Sequence, residues 1–153
     1  MIDHVERYES LAQPQKRGCA TEAILTAAFA VYDLPVLVPT ADTEPYDLVV
    51  EIAGRFRRIR CKTAYRASPD TVAFETLVTR SPGDGYHRRS DDWSAFFAVY
   101  DPINDNRYLV PVADAQGGRM EITVQEPRPD ERVGVNWYEE YLLGQQLERL
   151  CGR

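Results

Sequence analysis

Apolar and polar positions alternate along this chain with two different periods, and the changes of period mark its elements. Across residues 18–32 the apolar positions Ile24, Leu25, Ala28 and Phe29 recur at helical spacing, and Asp33 and Pro35 close the run. A helix is predicted there. Glu22 precedes Leu25 and Phe29 by three and seven residues, which puts it on the inward edge of that stripe. Residues 36–38 read as a short extended segment and 39–45, with Asp42 and Glu44, as a turn-rich connection. Residues 46–52 then form a strand, Ala53 and Gly54 a turn, and 56–64 the returning partner of a hairpin.

Further strands are predicted at 72–79, 94–100, 107–112 and 120–124, with a loop at 81–86 and a strong turn sequence at 101–106. After a Pro-rich bridge at 125–131, Asn136 has the form of a helix N-cap with Glu139 at the third position. The terminal helix is predicted to run to Leu150, with Leu143, Leu147 and Leu150 on one stripe. Helix, hairpin-rich sheet and helix make an α/β arrangement, one sheet partly covered by helices. A polar lead-in over residues 1–17 and one domain over 18–153 are expected from a chain of 153 residues.

Composition narrows the class. No apolar run is long enough to cross a membrane and the N-terminus lacks the pattern of a signal peptide, so a cytoplasmic protein is expected. Cys19, Cys61 and Cys151 stand far apart and only two histidines are present, so a structural zinc site has no ligand set and reduced thiols are expected. The net charge of −6 disfavours nucleic-acid binding by the protein as a whole. Its distribution does not, because residues 55–66 carry six bases and no acid, whereas 91–131 carry nine acids. Such a chain can present a basic working face on an acidic body. Among the 18 basic residues only Lys16 and Lys62 are lysine, as a GC-rich genome or a high-salt cytoplasm would favour.

Strand alternation puts Asp47, Val49 and Glu51 on one face, and Phe56, Arg58, Arg60 and Lys62 on one face of the returning strand. A carboxylate at the start of one strand thus lies beside an ammonium near the end of its partner. Glu22 can join them from the helix.

The helix glutamate, Tyr46-Asp-Leu-Val-Val-Glu51, Gly54 and Arg58-Ile-Arg-Cys-Lys-Thr63 together resemble the PD-(D/E)XK nuclease superfamily, in the branch related to intron-encoded homing endonucleases and their haloarchaeal relatives. The likeness continues through 96–100, 107–112 and 135–137. It implies a restriction-endonuclease-like fold, with a central mixed β-sheet flanked by an N-terminal and a C-terminal helix. It also implies magnesium-dependent hydrolysis of DNA phosphodiester bonds. On that resemblance Asp47 and Glu22 bind the ion, the Cys61 carbonyl adds a ligand, and Lys62 activates the attacking water and stabilises developing charge.

One position departs from the pattern. Where the family carries Asp, Glu or Gln two residues before the lysine, this chain has Arg60, a permanent cation that can pair with the same carboxylates. Glu75 on the next strand, Glu51 or Asp42 could supply a migrated metal ligand, and Glu75 is the better candidate, since Glu51 lies about 13 Å along the strand from Asp47. Arg58, Arg60, Arg66, Arg88 and Arg89 are the candidate DNA contacts. Three readings stay open: an active endonuclease, an impaired nuclease-fold protein that binds DNA, and a protein-binding scaffold. A homo-oligomer is compatible with each, and cutting both strands of a duplex with one site per chain would need at least two copies.

Overall fold

The computed structural model describes residues 4–79, 87–89, 94–115, 117–126 and 134–152. Its first helix, α1 (His4–Glu9), lies inside the stretch expected to be a polar lead-in, and the second, α2 (Pro14–Val31), starts four residues before Gly18. Two sequence features explain the difference. Pro14 opens α2 with its φ already helical and no N–H to satisfy. Tyr8 gives α1 something to bury, since its ring meets Tyr100 edge-on with centroids 5.3 Å apart.

The strands are β1 (Val36–Leu37), β2 (Leu48–Ile52), β3 (Arg55–Thr63), β4 (Tyr65–Ser68), β5 (Thr71–Glu75), β6 (Leu77–Thr79), β7 (His87–Arg89), β8 (Phe96–Asp101), β9 (Asn106–Pro111) and β10 (Arg119–Thr123). Five of them form a central sheet in the order β1-β2-β3-β8-β9. It is mixed: β3 runs parallel to β8, with Ile59 opposite Phe96, while the other neighbours are antiparallel. The β2–β3 hairpin is the one expected, and its two-residue turn uses left-handed Ala53 (φ 52°) and Gly54 (φ 76°), the geometry that suits strand twist.

Each face of this sheet buries a separate core. On one face Leu48, Val50, Ile52, Ile59, Ala98 and Tyr100 pack under Leu25 and Phe29 of α2 and under Leu143 and Leu147. Each such apolar side chain contributes about 2 kcal/mol of transfer free energy. On the other face Phe97, Val99, Tyr108 and Val110 meet Val72, Phe74, Met120 and Ile122 from a second sheet, ordered β10-β5-β4. The central mixed sheet with helices at both ends of the chain is the predicted architecture. A sheet rather than a helix closes its second face.

The predicted strand 72–79 is two strands, β5 and β6, in different sheets. Buried Thr76 separates them, its hydroxyl bonding the Gly117 carbonyl and its N–H the Gly118 carbonyl. The C-terminal helix is likewise two, α3 (Tyr138–Tyr141) and α4 (Leu143–Cys151), because Leu142 turns extended (ψ 137°) to bridge Tyr108. Asn136 does not cap α3; its amide donates to the Glu121 carbonyl at 3.0 Å, and Trp137 holds the cap position. No helix among the described residues is long and apolar enough to cross a membrane. The predicted loop 81–86 lies outside the described residues, as do Asp91, Asp92, Trp93 and most of the Pro-rich bridge.

Candidate active site

Asp47 sits one residue before β2, where the ladder to β3 ends. Its N–H donates to the Ile59 carbonyl at 2.9 Å, and its Oδ2 accepts the Cys61 N–H at 2.7 Å. The strand has no further carbonyl to offer that amide, so the side chain takes the place of one. A carboxylate fixed in this way spends one lone pair on the backbone and keeps the others for a ligand.

Glu22 reaches Asp47 from α2. The Glu22 side chain is exposed, yet desolvation raises its carboxyl above the usual range, and the charge of Asp47 and a hydrogen bond to it add to the rise. Arg60 acts in the opposite direction. The Arg60 Nε stands 3.7 Å from Asp47 Oδ2, too far for a good hydrogen bond, and that buried N–H has no other acceptor among the described residues. Lys62, two residues on and mostly buried, is pushed down by desolvation first and by Arg60 second, with Asp47 and Glu75 opposing. The Cys61 thiol is driven well above its ordinary range by burial and then by the two carboxylates. It therefore stays a neutral thiol, which leaves only its backbone as a donor to the site.

Asp47 thus has the Cys61 amide and Arg60 beside it, and its charge acts on Glu22 and Lys62. Glu75 does not join the carboxylate pair: its Oε1 accepts the Tyr65 hydroxyl at 2.5 Å, it pairs across the sheet with Arg119, and its charge is felt by Lys62. Arg58 lies over the Tyr46 ring at 5.4 Å. Arg66 is an exposed residue of β4 that reaches the Pro69 carbonyl at 3.4 Å. Arg88 and Arg89 belong to β7, and their side chains lie outside the described residues.

Sequence reasoning missed a hydroxyl cluster behind the site. Thr21 Oγ1 and Thr63 Oγ1 are 2.7 Å apart, and the Tyr8 hydroxyl joins Thr21 at 2.8 Å. Each threonine is the chain neighbour of a site residue, Thr21 of Glu22 and Thr63 of Lys62. The cluster ties the acid-bearing helix to the lysine-bearing strand. The only signal in the sequence was that adjacency.

The family model described as PD-(D/E)XK endonuclease matches residues 12–144, from the start of α2 into α4. The chain belongs to that family. Among solved structures it is similar to a bacterial homing endonuclease, at 18% identity and a TM-score of 0.68, over 89% of this chain and 93% of that one. That likeness is one of fold. No curated protein matches the sequence significantly.

Within a PD-(D/E)XK endonuclease the donor chemistry decides which ion the site suits. Among the described residues no group of three or more His, Cys, Asp or Glu side chains gathers to hold a metal. Magnesium does not require one, since it keeps several waters and is held by one or two carboxylates plus substrate phosphates. Glu22, raised first by desolvation and then by the charge of Asp47, makes with it an electrostatically unfavourable pair of acids that a dication would relieve. Among the described residues Arg60 is the cation paired with Asp47. The oxygen donors fit a single hard ion, and Arg60 fills the position from which the family's third acid would act.

Proposed function

We propose that this protein is a magnesium-dependent DNA endonuclease that hydrolyses phosphodiester bonds at the end of the β2–β3 hairpin. The reading is supported by Glu22, Asp47 and Lys62, carried by three separate elements, with the Asp47 charge acting on both of the others. Glu22, Asp47 and the Cys61 carbonyl are the proposed holders of the ion. When bound there it would polarise the phosphoryl group and favour deprotonation of water. Asp47, braced by the Cys61 amide, fixes where the phosphate enters. Lys62 supplies positive charge to the phosphoryl oxygens as charge develops. Its lowered proton affinity also lets it exchange a proton with the attacking water more readily than an exposed lysine would. The basic strip of β3 is the proposed contact to the DNA backbone, and cleavage of both strands would use two copies of the chain.

A second reading is favoured by one distance. Arg60 at 3.7 Å from Asp47 competes with the ion for that carboxylate, which would leave a nuclease-fold protein that binds DNA and cuts it slowly. Incubation of supercoiled DNA with the protein, with and without magnesium, separates the two. Nicking that requires magnesium and is lost in Asp47→Asn supports the enzyme. DNA binding without nicking by the wild type, with nicking gained in Arg60→Glu, supports the impaired protein.

A further inference from the structure

The β2–β3 hairpin continues beyond its neighbours. β8 pairs with β3 only from Ile59 onward, the Ala95 N–H closing the ladder on the Arg58 carbonyl at 2.9 Å. On the other side β1 pairs with Val49 and Val50, and the last bond is from the Glu51 N–H to the Pro35 carbonyl. Among the described residues no other strand pairs with 52–57, which extend past these ladders as a two-stranded ribbon. One side of this ribbon is anchored, because Ile52 is buried in the core with Leu147 of α4. The opposite side is uncovered by the described residues. It carries Phe56, 67% exposed, with exposed Arg58 next to it on the same face.

Single exposed apolar side chains are common, Val31 and Val38 among them here, but burial of a phenylalanine is worth about 2 kcal/mol to a partner that covers it. Charge indicates which partner that is. The residues around Phe56 on β3 are Arg55, Arg57 and Arg58, and the single acid beside it is Glu51, its partner across the hairpin. Arg57 is committed to the other face, over the Phe96 ring at 5.9 Å. Arg55 and Arg58 form no ion pair with an acid among the described residues, though Arg58 lies over the Tyr46 ring, in a protein of net charge −6. An acidic second copy would also match this charge, but the patch shares a strand face with the candidate site of a chain from a PD-(D/E)XK endonuclease family, and a polyanion fits both.

Geometry continues the argument. Phe56, Arg58, Arg60 and Lys62 alternate onto one face, so the ribbon and the candidate active site share a surface. Phe56 faces Glu51, about 13 Å from Asp47 along the strand, which corresponds to about four base pairs of duplex. The major groove is wide enough to admit a two-stranded ribbon, and an apolar side chain there meets thymine methyls and base edges.

We propose that the projecting β2–β3 ribbon docks in a groove of duplex DNA beside the cleaved bond, Phe56 touching bases while Arg55 and Arg58 hold the flanking phosphates. This rests on the nuclease reading, because it takes the scissile phosphate to lie at Asp47 and Lys62. The test is fluorescence anisotropy of a labelled mixed-sequence DNA duplex in EDTA, across a salt series, with sedimentation velocity and a thermal melt on every variant. Phe56→Ala is expected to bind about tenfold more weakly with an unchanged salt slope, and Arg55→Ala/Arg58→Ala to flatten the slope by about two. All three side chains are exposed, so the melts should match the wild type. Wild-type binding and salt slope in both variants would overturn the proposal while leaving the nuclease reading intact. So would an oligomer lost in Phe56→Ala, which would make the ribbon a contact between copies. A wild type that neither binds nor cleaves DNA would remove both.

Discussion

Arg60 and Asp47 hold opposite charges close together without a good hydrogen bond, and the site's chemistry depends on what intervenes. The guanidinium cannot release its proton, so its charge is present at every working pH. Its removal should favour a dication: Arg60→Gln is expected to bind manganese about tenfold more tightly by isothermal titration, and equal affinity would show that Arg60 does not compete. The neighbouring acid gives a pH signature. The Glu22 carboxyl is raised in the folded state, so its ionisation opposes folding; its favourable share is present below the unfolded value and lost as pH rises through the folded one. Glu22→Gln should therefore melt higher than the wild type at neutral pH and lose part of the wild type's dependence on pH on the acid side. Lys62 has the opposite sign. Its folded value is lowered, so stability rises with pH between the folded and unfolded values. Lys62→Met is expected to melt higher at neutral pH while any cleavage falls about a hundredfold. A variant that gained no stability would show that the lysine is better solvated than its burial implies.

Elements were legible where their own residues decide them. Alternation and the Ala53-Gly54 turn place β2 and β3, and the register that sets Asp47 near Lys62 follows from the turn alone. The sequence did not disclose elements whose limits depend on distant partners. Leu142 breaks the last helix only because Tyr108 is there to bridge, and Thr76 divides β5 from β6 only because Gly117 and Gly118 take its bonds. The β8–β9 turn is a predicted element whose strength can be measured. Fully buried Asp101 accepts the N–H groups of Ile103 and Asn104 at 3.0 and 3.1 Å, the Asn104 amide at 2.8 Å and the Tyr108 hydroxyl at 3.0 Å. Asp101→Ala leaves these donors without an acceptor and should cost about 3 kcal/mol in a denaturant titration, with the folded fraction keeping its DNA affinity. A loss under 1 kcal/mol would mean that water replaces the carboxylate.

At the scale of the molecule the net charge is acidic while β3 carries a basic strip, an arrangement that would steer a polyanion to the hairpin. The candidate site could be read from sequence as far as Glu22, Asp47 and Lys62, because helix and strand periods fix their faces. The place of Glu75 could not, since it depends on the path of a second sheet that holds it beside Tyr65. Nor could the Tyr8–Thr21–Thr63 link, which joins residues far apart in the chain. The account stands or falls on whether these converging groups cut DNA. The most direct measurement is conversion of supercoiled plasmid to nicked or linear form by the wild type and by Asp47→Asn, in magnesium and in EDTA. The account predicts cleavage by the wild type in magnesium alone, and none by the variant. Cleavage that persists in Asp47→Asn or in EDTA would contradict it, as would an intact plasmid in every arm.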